Sequence, residues 1–576
     1  MTLFRVWAPS ARRVRLRLGA EVYDLAAIED GWWATSLDAE PGTDYAYLLD
    51  EDEHGLPDPR SRWQPRGVHE ASRVYDDAAY RWQDGSWAGR EWPGSIVYEL
   101  HIGTFTPEGT FDAAIEHPNH LVDLGVTHVE LLPVNAFNGI WNWGYDGVDW
   151  YAVHEPYGGP DGLKRFVDAC HSHRLAVLLD VVYNHLGPSG NYLPRFGPYL
   201  ATQRNTWGEV VNLDGPASRE VRRYIIDNAL MWLRDFHVDG LRLDAVHALV
   251  DSSHPHLLAE LSAAVDDLEA RLGQPRVLVA ESELNDPVVI TPRSEGGYGL
   301  DAQWDDDMHH ALHALLTGER QGYYVDFGSL AALAKVYTSA FLHDGCYSTF
   351  RGREHGHPVD RDRTPAYRFI ACLQDHDQVG NRALGDRLPE IIPPGLLDVG
   401  AVLLLTSPFT PMLWMGEEWA ASTRWPFFSS HPEPHLAEAA SSGRMEEFAN
   451  YGWDTTEMLD PQDPLAFQTA KLNWSELSTV PHRNMLALYR RLIRLRQSEP
   501  DLQDSRLTVV AVDYDEAARW LVAHRGGLRI AANFDEAPQV VPGLAGEVLL
   551  ATGEVKAADS GLSLEGQSAA VIRVTP

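Results

Sequence analysis

Four short apolar runs in this chain each end in groups that can give or take a proton. Leu178-Leu179-Asp180-Val181-Val182-Tyr183-Asn184-His185 is one, and Gly240-Leu241-Arg242-Leu243-Asp244, followed by His247, is another. The third runs Val277-Leu278-Val279-Ala280 into Glu281-Ser282-Glu283, and the fourth runs Ile370-Ala371-Cys372-Leu373 into Gln374-Asp375-His376-Asp377. Strand alternation puts Arg242 and Asp244 on one face, two residues apart. A guanidinium beside a carboxylate favours its charged form, and an ionised, oriented Asp is a nucleophile. Taken alone, this pair reads equally as an ion pair closing a strand. A helix cap explains one acidic strand end, but four of them call for a shared site.

Several carboxylates and histidines among many aromatic side chains suit glycoside hydrolysis. Retention of configuration needs a nucleophile and a proton donor about 5–5.5 Å apart. Metal catalysis is the competing use of Asp and His. There is no HExxH-like spacing, and Arg242 beside Asp244 would repel a cation. No GxSxG elbow supports serine chemistry.

Elements must carry these groups to one place. Apolar strands at 96–100, 126–133, 176–182, 240–243, 277–280, 302–304, 369–373 and 412–415 alternate with helical runs at 163–173, 221–236, 256–272, 330–341, 397–405 and 485–496. Eight strands buried on both sides by helices predict an α/β protein built on a parallel (β/α)8 TIM barrel, whose catalytic groups sit at the C-terminal strand ends. The barrel is expected over 92–502, with long insertions at 185–219 and 305–368. Alternating strands with turns at Asp30-Gly31 and Pro41-Gly42 predict an N-terminal β-sandwich over 1–91, in which Trp7, Trp32 and Trp33 serve the core. Strands at 507–512, 520–524, 528–534, 547–550 and 569–574, with a Gly526-Gly527 hairpin, predict a C-terminal β-sandwich over 503–576.

The 576 residues imply two to four domains. A net charge of −36 speaks against nucleic acid and anionic membranes as partners. Three separated cysteines, Cys170, Cys346 and Cys372, do not make a disulfide framework. The first residues lack a signal-peptide pattern, and the apolar run 399–416 is interrupted by Pro408 and Pro411, so it predicts a buried helix and strand in a cytoplasmic protein.

With its four strand ends in this order, the sequence resembles the α-amylase superfamily of retaining glycosidases. The resemblance implies Asp244 as nucleophile, Glu281 as general acid/base and Asp377 as holder of the sugar hydroxyls. It implies Arg242 as the cation orienting Asp244, with Asp180, His185, His376 and Tyr145 lining the same subsite, Tyr145 by stacking on the sugar. Asp305, Asp306 and Glu283 rank as surrounding groups. No cofactor and no metal are expected, since no Asp-rich calcium loop follows Asn184.

Narrower stretches separate branches of the superfamily. Phe4-Arg5-Val6-Trp7-Ala8-Pro9 and Tyr98-Glu99-Leu100-His101-Ile102-Gly103-Thr104-Phe105 are similar to segments of branching, debranching and trehalose-releasing enzymes. Asn142-Trp143-Gly144-Tyr145-Asp146-Gly147-Val148, Gly190-Asn191-Tyr192-Leu193, Gln378-Val379-Gly380-Asn381-Arg382 and Trp425-Pro426-Phe427-Phe428 with 438–448 resemble the family of maltooligosyltrehalose trehalohydrolases. That resemblance implies release of trehalose from maltooligosyltrehalose, leaving a maltooligosaccharide. It also implies a synthase that supplies the substrate, and contacts from Trp143, Tyr192 and His247. Among the loop aromatics Trp141, Trp143, Trp150, Trp207, Phe427 and Phe428, sugar stacking and core packing stand equal one by one. Two departures stand out. Asp375 replaces the usual Asn before His-Asp, and His247-Ala248 replaces the common Lys-His after the nucleophile. The rival readings are a glucan branching or debranching enzyme and a non-catalytic glycan-binding barrel.

Overall fold

The computed structural model describes residues 1–450 and 458–574, with the backbone alone for 447–450. Eight parallel strands close into a barrel: β1 (Val97–Leu100), β2 (His128–Leu131), β3 (Ala176–Val181), β4 (Gly240–Leu243), β5 (Val277–Ala280), β6 (Ala302–Trp304), β7 (Phe369–Cys372) and β8 (Thr410–Trp414). They follow one another around the barrel in chain order, and β8 pairs back onto β1. Every barrel strand expected from the apolar runs is present. Each is buried along its whole length, because helices cover the outside while Val97, Leu178, Val279, Ile370 and Met412 fill the lumen. Trp92 joins this inner cluster, its indole N–H donating to the Tyr367 carbonyl at 3.1 Å.

Two glycines are required by space. A Cβ on Gly240 would lie 2.5 Å from the Val277 carbonyl oxygen and 2.7 Å from Leu178 Cδ2, so β4 could not seat between its neighbours. Gly144, at φ +113°, would place a Cβ 2.2 Å from the Pro133 carbonyl oxygen, and its turn delivers Tyr145.

Several expectations need correction. The segment after β6 is no open insertion. Asp305 accepts the Met308 N–H at 3.3 Å and caps a helix, Asp306–Thr317, that starts directly at the strand end. The insertion proper begins after Gly318 and holds the helix Leu330–Ser339 and a small hairpin, Cys346–Ser348 with Arg353–His355. The stretch after His185 contains its own hairpin, Leu200–Asn205 with Gly208–Val211. The expected strand at 507–512 is replaced by a 3-10 turn at Leu507–Val509 and a strand at Ala511–Asp515. Here Ala366 N–H donates to the Ser505 carbonyl at 2.7 Å and Arg361 to the Leu507 carbonyl at 2.9 Å, which ties the segment to the barrel and delays the sheet.

The 399–416 run forms the helix Pro394–Thr406 and then β8, both buried, as the interrupting prolines require. Among the described residues, no helix is long and apolar enough to cross a membrane. At the N-terminal end, Thr2–Trp7, Ala26–Ala27 and Trp32–Leu37 form one antiparallel sheet, and Val14–Leu18, Glu21–Asp24, Asp44–Leu49 and Ser72–Arg73 another. Trp7 and Trp32 are buried between them and the barrel, while Trp33 is partly covered. At the C-terminal end a five-stranded antiparallel sheet and the small sheet Gln539–Pro542, Val555–Ala558 and Gly561–Leu564 enclose Val522, Ala531, Val541, Leu564 and Ile572. The hairpin Trp520–Arg525 with Leu528–Asn533 turns at Gly526-Gly527.

Candidate active site

Arg242 is the centre of the site. The inward face of β4 carries it into the barrel mouth, where it is fully buried with its guanidinium 4.4 Å from the centre of the Trp304 ring at the end of β6. Its Nη1 donates to Asp180 Oδ2 at 2.7 Å and to Asp244 Oδ1 at 2.8 Å, and its Nη2 lies 3.7 Å from Glu281 Oε2. One buried cation thus touches carboxylates from three consecutive strands. Asn184 Nδ2, beyond β3, donates to Asp244 Oδ2 at 2.7 Å and to the Asp244 carbonyl at 2.9 Å. Donors on both carboxylate oxygens fix the Asp244 side chain in a single orientation.

The next residue changes the backbone's course. Ala245 adopts φ 39°, ψ 52°, a left-handed conformation unusual for a residue with a Cβ. The turn aims its N–H at Glu281 Oε2, 2.5 Å away. Burial pushes the Glu281 carboxyl pKa well above the usual range; Asp244 adds to this, while Arg242 works against it. A protonated carboxyl and a hydrogen-bonded carboxylate therefore face one cleft.

A second set of bonds runs from β1 to the same centre. His376 Nδ1 lies 2.5 Å from Glu99 Oε1, and the His376 backbone N–H donates to Glu99 Oε2 at 3.1 Å. His376 Nε2 lies 2.8 Å from the Tyr145 hydroxyl, which donates to Asp180 Oδ2 at 2.7 Å. Tyr145 spends its one proton on Asp180, so it accepts from Nε2, while Nδ1 donates to Glu99. Both ring nitrogens of His376 then carry protons. Burial opposes this cation, but Asp377 and Glu99 outweigh it and raise its pKa to about 10. The series Glu99–His376–Tyr145–Asp180–Arg242–Asp244 is continuous. Asp180, held by Arg242 and Tyr145 yet buried, has its pKa raised to about 6.

Asp377 stands at the mouth, its carboxylate 3.6 Å from His376 Nε2 and accepting from Asn381 Nδ2 at 3.2 Å. Asp375 faces inward instead. It caps the helix His376–Gly380 through the Gln378 N–H at 2.7 Å and accepts from the Cys372 thiol at 3.2 Å. Burial, then the Glu99 charge, raises its pKa to about 7. Asp306, at the start of its helix, is raised to about 8 by burial and by Asp375.

The structure brings Asp244, Glu281, Asp377, Arg242, Asp180, Tyr145, His376 and His185 to one mouth. His185 Nε2 is 3.0 Å from the Tyr145 carbonyl, and its ring stacks on the exposed Trp207 at 5.4 Å. His247 lies close by, 3.7 Å from Glu283 Oε1 and 6.5 Å from the Trp207 ring. The Tyr145 ring lies nearly parallel to that of His376 at 5.3 Å. Trp143 is buried, stacked on Trp425 at 4.6 Å, and stands as wall behind His376. Tyr192 belongs to a different cluster, its hydroxyl 2.8 Å from His69 Nδ1 beside Ser189. Trp150 and Phe428 are core residues, while Trp141 and Phe427 are half-buried. In the 438–448 stretch, Arg444 lies 4.2 Å from the centre of the Phe427 ring, and the side chains of Glu447 and Phe448 lie outside the described residues.

Glu99, Asn184 and Trp304 carry the site and were not singled out as site residues from the sequence. Glu99 had a signal, a carboxylate inside an apolar strand. Trp304 had none, since an indole at a strand end is ordinary core. Among the described residues, no group of three or more His, Cys, Asp or Glu side chains is arranged to hold a metal ion.

The family described as alpha amylase, catalytic domain, matches residues 73–205, and Domain of unknown function (DUF3459) matches 505–571. The chain is 56% identical to the malto-oligosyltrehalose trehalohydrolase of Arthrobacter ramosus over 99% of both chains. It is 41% identical to that of Saccharolobus solfataricus over 91% of this chain and 89% of the other. A crystal structure from Salmonella typhimurium carrying a provisional alpha amylase label superposes with a TM-score of 0.91 at 37% identity, covering 100% of this chain and 97% of that one. With close relatives matched from end to end around an α-amylase-type barrel, the chain is a glycoside hydrolase and belongs to the malto-oligosyltrehalose trehalohydrolase family.

Proposed function

We propose that this enzyme hydrolyses the α-1,4-glucosidic bond next to the terminal trehalose of maltooligosyltrehalose, with Asp244 as nucleophile and Glu281 as acid and base. The observation that carries the mechanism is the single buried guanidinium of Arg242 in reach of both carboxylates. Asp244, held by Arg242 and Asn184, attacks the anomeric carbon. Glu281, kept protonated by burial, gives its proton to the leaving oxygen. Water then takes the glycosyl group from Asp244, with Glu281 now accepting the proton. Asp377, the exposed carboxylate beside His376, holds the sugar hydroxyls, and the series from Glu99 to Asp180 keeps the floor of that subsite rigid.

The leaving group is a free disaccharide, which needs polar contacts rather than an open exit. Past Glu281 a pocket is lined by Glu283, Asp306, His310, Tyr323, Phe350 and Arg351. Arg351 Nη2 lies 3.1 Å from Glu283 Oε2, so this wall offers fixed donors and acceptors to trehalose. The names of the relatives support the substrate, and the reading includes a cytoplasmic setting and an enzyme that supplies the trehalose terminus.

Maltotriosyltrehalose is expected to give trehalose and maltotriose in equal amounts. New α-1,6 linkages in the product, or cleavage of plain maltopentaose at equal efficiency, would rule the assignment out.

A further inference from the structure

Away from the barrel mouth, a cleft of about 440 Å³ opens between the N-terminal sheets and the barrel. Its wall carries four guanidinium groups, Arg5, Arg60, Arg62 and Arg73, against one carboxylate, Asp58. This is unusual in a chain with 47 basic and 83 acidic residues. Three of the arginines are braced by carboxylates outside the cleft wall. Arg60 Nη1 lies 2.9 Å from Asp227, Arg62 Nη2 2.8 Å from Asp235 and Arg73 Nε 2.7 Å from Asp44. Such bracing fixes the forks in place while leaving other N–H groups directed elsewhere. Arg60 Nε is buried with no hydrogen-bond acceptor, and Arg62 Nη1 has only the Asp77 carboxylate, 3.5 Å away. Asp58 accepts from the Tyr45 hydroxyl at 2.8 Å and from the Arg60 N–H at 2.8 Å, and burial raises its pKa, which blunts its repulsion of an anion.

A neutral sugar would stack on open aromatic faces, but here cations already cover them. Of the rings in the cleft wall, Tyr151 has Arg60 5.3 Å from its centre and Tyr75 has Lys164 at 4.9 Å, while Arg5 and Arg73 lie over Trp32 and Trp63 just outside the wall. Rigid arginine forks in a concave site of this size match the phosphate of a small phosphorylated metabolite. We propose that this cleft binds a small phosphate monoester, of the size of a sugar phosphate, at a site separate from the hydrolytic one.

The test is calorimetric titration of the full-length enzyme with glucose 6-phosphate, with glucose as the neutral control. Glucose 6-phosphate is expected to bind one per chain with a Kd of about 0.1–1 mM that weakens with added salt, and glucose not to compete. Arg5→Gln and Arg62→Gln are each expected to weaken binding about tenfold or more while leaving trehalose release unchanged. Arg5 is exposed, so its variant tests the site without endangering the fold. Absence of binding, binding that both variants leave intact, or displacement by glucose or maltotriose would overturn the proposal.

Discussion

Single side chains here do distinct chemical work because their surroundings differ. Asp244→Asn and Glu281→Gln keep shape and most hydrogen bonds, so each is expected to remain folded by circular dichroism yet lose more than about 1,000-fold in kcat. Near-normal turnover in either would remove the roles proposed for them. Asp375 is a separate case. Its folded pKa of about 7 lies above that of an unfolded Asp, so the folded form holds its proton more tightly. The resulting stability is present below about pH 4 and is lost as pH rises through 7. Asparagine keeps the helix cap and has no charge to bury. Asp375→Asn is therefore expected to be more stable than the parent by about 4 kcal/mol at pH 8, with the gain vanishing near pH 4, as followed by denaturant melts. A gain independent of pH would sink the explanation.

At the scale of elements, β1 and β7 meet through one ion pair. Glu99 at the end of β1 fixes His376, which begins the helix after β7, and Tyr145 rests on that imidazolium. Glu99→Gln retains an acceptor for Nδ1 but removes the charge, so the His376 pKa falls. Charged hydrogen bonds of this kind are worth about 1.5–3 kcal/mol, which corresponds to a loss of about 10- to 100-fold in kcat/KM. The loss is expected to be larger at pH 8 than at pH 6, because the weakened imidazolium deprotonates first at the higher pH. A pH profile parallel to that of the parent would show that Glu99 only fills space.

For the whole molecule, the N-terminal sheets and the barrel share a core. Trp7 meets Tyr199 at 5.1 Å, Tyr47 meets Phe196 at 6.3 Å, and the Trp32 N–H donates to Glu220 at 3.0 Å. Removing residues 1–91 would bare Phe196, Tyr199, Tyr151 and Tyr224 together, an apolar patch of the kind that drives aggregation. The truncated chain is expected to be inactive and to bind a hydrophobic dye strongly. A soluble, active barrel would mean that the proposed division at 91 marks independent units.

The strands were legible in the sequence because a strand buried on both sides must be apolar throughout, and turns or helix caps bound each of them. Asp180, Asp244, Glu281 and His376 were legible as a set: one charge at a strand end serves as a helix cap, as Asp305 does, but four such ends in one barrel point to a shared site. The helix Asp306–Thr317 was hidden because two histidine–aspartate-rich turns mask its apolar face, although its cap is local. Contacts between distant segments left no local trace. Glu99 and His376 are 277 residues apart, and nothing in either segment fixes the other's position. Trp143 and Tyr192 carried identical local signals, an aromatic on a loop, yet one became wall and the other joined a cluster with His69. The sequence by itself determined which groups could react. Only the closed barrel decided that one guanidinium would serve three carboxylates, because barrel closure alone brings the ends of β3, β4 and β5 within its reach.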